Sequence, residues 1–384
     1  MKIPINRVIA ITAYILLGAA YIFGIISNSS QLDQQLKENI SSHVQIKVLQ
    51  KDPFVYSYFD EKNMENGYIT ITREQGWGGP LHVATWINSD GKIVDITVLS
   101  HVETFSFFKR LLDNRFFEQF TGIEVSSYLS IEKDVHAVSG ATISSRAFTA
   151  AVREGSHLAG TKYLDMNVNE IPVEWSIGYN ELIIIILFSM VLYGVWFKAS
   201  WMRYVTMACG LIFIGFYINF PVSISNLSSL VLGFVPLPQK YLFWWLLMLG
   251  VLLLIAITGR NLYCTWLCPF GAMQEFLSRV SGIKWKLHPK LVKAGKYIAL
   301  SLTWLSLMII FISRNPSMGN YEPFAAIFEF EGHGLIWYIL PLIIFVSLVI
   351  RRFWCRFFCP AGIVLDQAAK LRRKVRSGVK NEKG

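Results

Sequence analysis

Four of the five cysteines in this 384-residue chain fall into two short motifs of identical spacing. Cys264 and Cys268 precede a proline in CTWLCP, and Cys355 and Cys359 precede a proline in CRFFCP. A spacing of four places both sulfurs of a pair on one face of a helix, and a Cys-x-x-x-Cys-Pro run also closes a ferredoxin ligand pattern. Four thiolates brought together by the two motifs can hold an iron–sulfur cluster, copper or zinc. The soft ligand set alone does not choose between these metals.

The segments around the two motifs form an internal repeat. Each has an arginine four residues before its first cysteine, an aromatic residue immediately before it and a glycine seven residues after it. These residues are Arg260 and Arg351, Tyr263 and Trp354, and Gly271 and Gly362. Inert buried thiols are the alternative for a single pair, but the repetition favours a metal site. A disulfide is disfavoured because both motifs are expected to face the reducing cytoplasm, and Cys209 is expected to serve packing.

A second candidate site lies in AVSGATISSRAF, where small and hydroxyl-bearing residues lead into a predicted helix. Ser139, Gly140, Ala141 and Thr142 would present free backbone N–H groups at the positive end of that helix, with no bulky side chain in the way. This combination suits a phosphate group, and the hydroxyls of Thr142 and Ser144 are expected at the same place. The alternative is a simple helix cap, for which Ser and Thr are common residues.

Long apolar runs must position these residues. The chain is 53% hydrophobic and 14% aromatic, and six of its runs approach the roughly 20 residues that cross a membrane as a helix. The runs lie near Val8–Ser27, Ile177–Phe197, Tyr204–Phe220, Tyr241–Ile257, Tyr297–Ile312 and Leu335–Ile350. The predicted fold is therefore a polytopic α-helical membrane protein with six transmembrane helices.

Charge divides the chain into an acidic and a basic part. Residues 28–175 contain 19 of the 26 acidic residues but only 13 of the 36 basic ones. The positive-inside rule then places both termini in the cytoplasm and the acidic segment outside. We predict an N-terminal transmembrane anchor at 1–27, an extracytoplasmic domain at 28–175, and a five-helix membrane domain with a basic cytoplasmic tail at 176–384. The high pI reflects this topology and gives no reason to propose a nucleic acid partner.

The acidic segment has mixed α/β character. Two strand-like runs flank the turn NSDG, so Leu81–Leu99 is predicted to be a β-hairpin. Residues 103–120 are predicted to form one helix, and the apolar spacing after Thr142 predicts another. In a later outer loop, Glu322, Glu329 and Glu331 are expected to be solvated, and a role in quinone or proton handling is the alternative.

The stretch GWGGPLHVATWINSDGKIVDITVLSHVETFSFF followed by AVSGATISS resembles a known extracytoplasmic FMN-binding domain. Subunits of the sodium-pumping quinone reductase, the Rnf complex and the NosR/NirI/PceC-like membrane flavoproteins share that domain. The resemblance implies that Thr142 carries FMN through a phosphoester, attached by a separate flavin transferase. The cofactor-binding residues that it implies are Ser139, Gly140, Ala141, Thr142, Ser144, Glu103, Thr104, Gly78 and Gly79.

The membrane part, from about Tyr241 to Gln367, resembles the NosR/NirI/PceC-like and NapH-like proteins, which carry paired Cys-x-x-x-Cys-Pro motifs. The resemblance implies that Cys264, Cys268, Cys355 and Cys359 bind a 4Fe-4S cluster or another thiolate-bound metal. No cysteine follows Cys359 in the sequence, and the organisation is closest to that of the PceC-like members.

These features lead to the hypothesis of a membrane-bound electron-transfer flavoprotein with an extracytoplasmic α/β FMN-binding domain. It would lie in the bacterial inner membrane among lipids, take electrons from the quinone pool in respiration, and pass them to an extracytoplasmic reductase. The alternative is a metal-handling, maturation or regulatory factor for such a reductase. A redox sensor and a transporter are less favoured, because no kinase or DNA-binding module is recognisable and the spans are almost free of charge.

Overall fold

The computed structural model describes residues 5–40, 45–51, 53–59, 64–76, 79–103, 105–131, 133–169, 175, 177–283, 285, 287–328 and 336–381. The chain divides into two compact units. Unit 1 comprises Met1–Val173, Ser229–Pro236 and Ile310–Met318. Unit 2 comprises Glu174–Ser228, Leu237–Ile309 and Gly319–Gly384.

The regular elements follow one another with few long gaps. The strands are β1 (Gln45–Lys51), β2 (Phe54–Phe59), β3 (Glu65–Gln75), β4 (Pro80–Asn88) and β5 (Ile93–His101). The α-helices are α1 (Ile5–Ile40), α2 (Phe105–Asp113), α3 (Thr142–Tyr163), α4 (Tyr179–Trp196), α5 (Ser200–Gly210), α6 (Ile224–Leu232), α7 (Leu242–Thr258), α8 (Pro269–Val280), α9 (Pro289–Ser313), α10 (Phe324–Phe328), α11 (Ile336–Val349), α12 (Phe353–Phe357) and α13 (Pro360–Asn381). A 3-10 helix spans Phe116–Phe120, and π-helices span Leu211–Tyr217 and Tyr263–Leu267.

The five strands form one antiparallel sheet in the order β1-β2-β3-β4-β5. The predicted hairpin is present as β4 and β5, in which Leu81 pairs with His101. Helix α3 covers the sheet, and the Thr72 hydroxyl donates to the Ala151 carbonyl at 2.7 Å. A Cβ on Gly155 of α3 would lie 2.4 Å from Thr70 Oγ1, so glycine allows the helix to approach the sheet closely.

The prediction of a single helix over residues 103–120 was wrong. Helix α2 ends at Asp113, and Arg115 adopts a left-handed φ of 51° before the 3-10 helix begins. This break turns Phe116 and Phe120 into the core, where both side chains are fully buried beside Phe148 of α3. The aromatic side chains thus fill the space between α2, α3 and the sheet, which a straight helix would leave empty.

Three helical segments in the described residues are long and apolar enough to cross a membrane: Val8–Ser27, Tyr179–Trp196 and Pro289–Ser313. Leu242–Thr258 and Tyr338–Val349 are apolar but shorter. The predicted span at 204–220 coincides with α5 and the π-helix that continues it. The six-helix count and its topology remain predictions.

Candidate cofactor sites

Thr142 stands at the start of α3 with its side chain exposed. Gly140 before it has a φ of 76°, a left-handed conformation that glycine adopts without strain, and the chain turns there into the helix. Ala141 is the N-cap, and within the described part of the chain no side chain caps the first turn. The first-turn N–H groups therefore keep their capacity to bind an anion. The alternative of a Ser or Thr side chain as the cap does not hold.

The turn before α3 is fixed from inside by Ser145. The Ser145 hydroxyl donates to the Ala141 carbonyl at 2.9 Å and accepts from the Val138 N–H at 3.1 Å. Ser139 and Gly140 lie between these anchors and are exposed. A buried serine thus holds a turn whose outer surface is open, which is what attachment of a bulky group to the neighbouring Thr142 requires.

Glu103 lies buried beside the start of α3. Ser144 Oγ donates to Glu103 Oε2 at 2.5 Å, so the Ser144 hydroxyl is engaged in the interior and does not stand beside that of Thr142 as expected. A Cβ on Gly76 would lie 1.9 Å from Glu103 Oε1, and the Gly76 N–H donates to the Gly79 carbonyl at 2.8 Å. The glycine turn, the carboxylate and the serine are therefore brought together, as the resemblance implies. Thr104 and Gly78 lie outside the described residues.

The first cysteine motif runs along α5 and the π-helix that follows it. A Cβ on Gly210 would lie 2.4 Å from the Leu267 carbonyl oxygen, and a Cβ on Gly215 would lie 3.0 Å from Pro269 Cβ. Gly210 is ten residues after Ser200, which is about 15 Å along a helix axis. Both glycines leave room for the backbone of the motif, which therefore lies beside the middle of this continuous helix.

Helix α8 then runs back toward the start of α5. Glu275 pairs with Arg203 at 2.7 Å, and the Arg279 guanidinium donates to the Tyr204 hydroxyl. The motif and α8 together form a hairpin whose tip is at Pro269. The hairpin therefore carries the first cysteine motif inward along α5.

The four motif cysteines lie in one neighbourhood, in which Cys268 and Cys359 are buried and Cys264 and Cys355 are partly exposed. The Cys359 thiol interacts electrostatically with Cys264, Cys268 and Cys355, and all five cysteines of the chain are free thiols. Within the described residues, no group of three or more His, Cys, Asp or Glu side chains is arranged around a single metal ion. The donor set, four soft thiols from two motifs, fits an iron–sulfur cluster.

Backbone N–H groups face the second cysteine of each motif. The Gly362 N–H donates to Cys359 Sγ at 3.3 Å, and the Gly271 N–H bonds to Cys268 in the same way. A Cβ on Gly362 would lie 3.4 Å from Cys359 Sγ. The repeated glycine therefore lies where a helix start delivers an N–H to a sulfur, which favours a thiolate.

Glu275 is a buried carboxylate that sequence analysis missed. Its side chain is 0% exposed and forms ion pairs with Arg203, Arg351 and Arg352. Arg352 also donates to the carbonyl oxygen of Cys264 at 3.0 Å, so this cluster ties the second motif to the first. The available signal was a carboxylate within the otherwise apolar stretch that follows CTWLCP.

The expectation of solvation was wrong for Glu322. Its side chain is buried and accepts from the Ile224 N–H at 2.7 Å and from the Ala361 N–H at 3.4 Å. Ala361 opens α13 just after Cys359 and Pro360, so the carboxylate stabilises the start of the helix that carries the second motif. Glu329 and Glu331 lie outside the described residues.

Two protein families match the two candidate sites. Residues 76–156 match the family described as FMN-binding domain, which contains the glycine turn, Glu103 and Thr142. Residues 241–288 and 333–377 match the family described as 4Fe-4S binding domain, which contains all four motif cysteines. These matches support FMN and an iron–sulfur cluster as cofactors.

Several curated relatives are similar to part of the chain. The chain is 26% identical to the regulatory protein NosR of Pseudomonas aeruginosa over 185 residues, 43% of this chain and 25% of NosR. It is 28% identical to the protein NirI of Paracoccus denitrificans over 191 residues, 43% of this chain and 26% of NirI. The methylamine utilization ferredoxin-type protein MauN of Methylobacillus flagellatus is 26% identical over 194 residues, 42% of this chain and 65% of MauN.

The matched segment spans about a quarter of the length of NosR and NirI. The relatives and the two domain matches agree with the resemblance inferred from the motifs around Thr142 and the four cysteines. The chain is therefore similar to the NosR/NirI-like proteins, and it combines a segment that matches an FMN-binding domain with segments that match a 4Fe-4S binding domain.

Proposed function

We propose that the chain is a membrane-bound electron-transfer flavoprotein that takes electrons from membrane quinol and delivers them to an extracytoplasmic reductase. FMN would be attached to Thr142, and the four motif cysteines would hold an iron–sulfur cluster. The observation that carries this proposal is the exposed Thr142 at an uncapped helix start, beside the buried Glu103–Ser144 pair. The uncapped N–H groups support phosphate binding there, and the exposed hydroxyl supports access by a flavin transferase.

The residues around Thr142 have separate tasks in this proposal. The Thr142 hydroxyl would form the phosphoester, and the free N–H groups of the first turn would bind the phosphate oxygens. Ser145 holds the turn, and Ser144 fixes the Glu103 carboxylate. Bound FMN supplies an exchange between two-electron and one-electron chemistry, while the protein sets its position and potential.

The residues around the cysteines would stabilise an anionic cluster. Backbone N–H groups of Gly271 and Gly362 face Cys268 and Cys359, and the Arg352 guanidinium interacts electrostatically with Cys268. These positive groups compensate the charge of four thiolates in a buried site. The cluster would supply one-electron transfer. It would lie in unit 2, beside the middle of the helix formed by α5 and the π-helix that continues it.

We further propose six membrane spans in the bacterial inner membrane, with both termini in the cytoplasm and the FMN-binding domain outside. The three long apolar helices and the sorting of charge along the chain support this topology. The partners would be the quinone pool, a flavin transferase and an extracytoplasmic reductase.

Covalent attachment is tested by flavin fluorescence of the denatured full chain in a gel, after production with and without a flavin transferase. We expect a transferase-dependent fluorescent band, and mass mapping should place the flavin on Thr142. Thr142→Ala should lose the band while the protein still inserts in the membrane. Thr161→Ala, at an exposed position on the same helix, should keep it. A fluorescent Thr142→Ala protein would disprove the attachment site.

A maturation or regulatory factor is the second candidate. The relative from Pseudomonas aeruginosa is named a regulatory protein, and four neighbouring free thiols also suit metal handling. Metal analysis of the anaerobically purified full chain separates the two candidates. Iron with acid-labile sulfide supports the electron relay, whereas copper or zinc without sulfide supports metal handling.

A further inference from the structure

Gln274 on α8 reaches from the first cysteine motif into the second. Its side chain is fully buried, and Nε2 donates to Cys355 Sγ at 3.4 Å. Oε1 accepts from the Trp354 N–H at 2.9 Å and from the Ser347 hydroxyl at 3.4 Å. Gln274 is therefore a buried side chain that joins the helix after one motif directly to a cysteine of the other.

The surrounding groups determine the orientation of this amide. The Trp354 backbone N–H can only donate, so the group that faces it must be the carbonyl oxygen of Gln274. The NH₂ group must then face the opposite side, where it meets Cys355 Sγ and, at 3.2 Å, the Phe270 carbonyl oxygen. A flipped amide would set two donors against each other and two acceptors against each other. The donor to Cys355 is thus required by its neighbours.

The repeat does not reproduce this hydrogen bond. The position equivalent to Gln274 in the second motif is Leu365, which is buried and has no group that can donate. The next position along each helix, Glu275 in the first half and Asp366 in the second, does keep an equivalent polar contact. Glu275 pairs with Arg352 at 2.8 Å, and its equivalent Asp366 accepts from Asn261, the equivalent of Arg352, at 3.0 Å. The two helices therefore have corresponding placements, but the donor to Cys355 on α8 has no counterpart on α13, and Cys264 has its side-chain hydrogen bond with Asn261 instead.

We propose that Gln274 is a positioning residue that raises the reduction potential of the cluster through its hydrogen bond to Cys355. The inference rests on the proposed iron–sulfur cluster. Reduction adds one electron, and therefore negative charge, to the cluster and its thiolates, and no proton moves. A hydrogen-bond donor stabilises the more negative state, and it does so strongly in a buried site. Leu365 gives Cys264 no such stabilisation, and the side-chain hydrogen bond of Cys264 comes from Asn261 instead.

The test compares the wild-type full chain with three variants, each purified anaerobically in detergent. Gln274→Met removes the amide at similar length, and Gln274→Asn withdraws it by one methylene from Cys355. Ser278→Ala changes another buried residue of α8, one turn further on. Iron and acid-labile sulfide report whether the cluster is present, and an EPR-monitored redox titration gives its midpoint potential.

We expect wild type and all three variants to contain iron and sulfide. The reduction equilibrium of Gln274→Met should shift toward the oxidised state by up to about tenfold, which is about 59 mV for a one-electron couple. Gln274→Asn should shift in the same direction, and Ser278→Ala should keep the wild-type potential.

The outcomes separate the two proposals. Wild-type protein without iron would refute the cluster itself. Iron-loaded Gln274→Met at the wild-type potential, or an equal shift in Ser278→Ala, would overturn the role of Gln274. If Gln274→Met contains no iron, the test rests on the midpoint potential of Gln274→Asn. A lower potential than that of the wild type supports the role of Gln274, and an unchanged potential refutes it. If neither variant loads iron while Ser278→Ala does, Gln274 is only structural and the tuning role is refuted.

Discussion

Glu103, Glu275 and Glu322 are carboxylates in buried positions, and each is satisfied by donors from distant parts of the sequence. Glu103 accepts a hydrogen bond from the Ser144 hydroxyl, Glu275 forms ion pairs with arginines, and Glu322 accepts hydrogen bonds from backbone N–H groups. A buried carboxylate without such partners would cost several kcal/mol. Glu103 and Glu322 fix the starts of α3 and α13, and Glu275 fixes α8, each against another segment, so these residues help to determine the geometry of the candidate sites.

His82 gives the domain that contains the five-stranded sheet a sensitivity to acid. Burial on β4, and then the charge of Arg73 on the paired strand, lower its pKa from 6.5 to about 4. In the unfolded chain the His82 imidazole becomes protonated below about pH 6.5, whereas in the folded chain it becomes protonated only below about pH 4. Stability is therefore independent of His82 above that window and falls as the pH decreases through it. The loss is about 2 kcal/mol at pH 5 and at most about 3 kcal/mol.

Thermal unfolding of the full chain in detergent measures this effect. When the pH is lowered from about 7.5 to 5, the Tm of both proteins should fall. The decrease for His82→Gln should be smaller than that for wild type by roughly 4–8 °C. The exposed His136→Gln should behave as wild type does. Parallel pH profiles for wild type and His82→Gln would refute the assignment.

At the scale of elements, the hairpin formed by the first cysteine motif and α8 depends on close contact with α5. Gly210→Ala would place a Cβ 2.4 Å from the Leu267 carbonyl oxygen, which is backbone and cannot rotate away. The motif would have to shift, at a cost of about 1–3 kcal/mol. We expect a lower iron content per protein, measured by metal analysis, with normal membrane insertion.

Gly18→Ala is the matched control, since it is another glycine in an apolar helix but has no described neighbour within 4 Å of the added Cβ. It should keep the wild-type iron content. Equal iron in wild type and Gly210→Ala would show that the hairpin does not depend on this contact.

Sequence patterns predicted the elements that local spacing defines. The hairpin of β4 and β5, the helix that begins at Thr142 and the repeated cysteine motifs all carry short-range signals. Strands β1 to β3 were not predicted, and the break at Arg115 was missed because packing of Phe116 and Phe120 decides it. Burial of Glu322 also escaped prediction, since its partners Ile224 and Ala361 are far away in sequence. The spacing of apolar residues is visible in the local sequence, whereas contacts between residues far apart in the chain leave no local sequence pattern.

At the scale of the whole molecule, the internal repeat yields a single site only when both halves fold together. Each half supplies two thiols, and cross-motif contacts such as Arg352 with the Cys264 carbonyl join them. Electrostatic interactions also link Cys268 with Cys355 and Cys359 with Cys264. The arrangement of unit 2 therefore supports the proposal of one cluster shared by both motifs, because neither motif alone offers four thiols.

Single cysteine variants test whether the site is shared. A cluster held by four thiolates from two motifs should be lost when either motif loses a ligand, because the remaining three leave one iron without its protein thiolate. We therefore expect Cys264→Ser and Cys355→Ser each to lose most of the iron and the same EPR signal. Cys209→Ser, outside the motifs, should retain both. A loss of only half the iron in each motif variant would instead indicate two separate sites, one at each Cys-x-x-x-Cys-Pro hairpin.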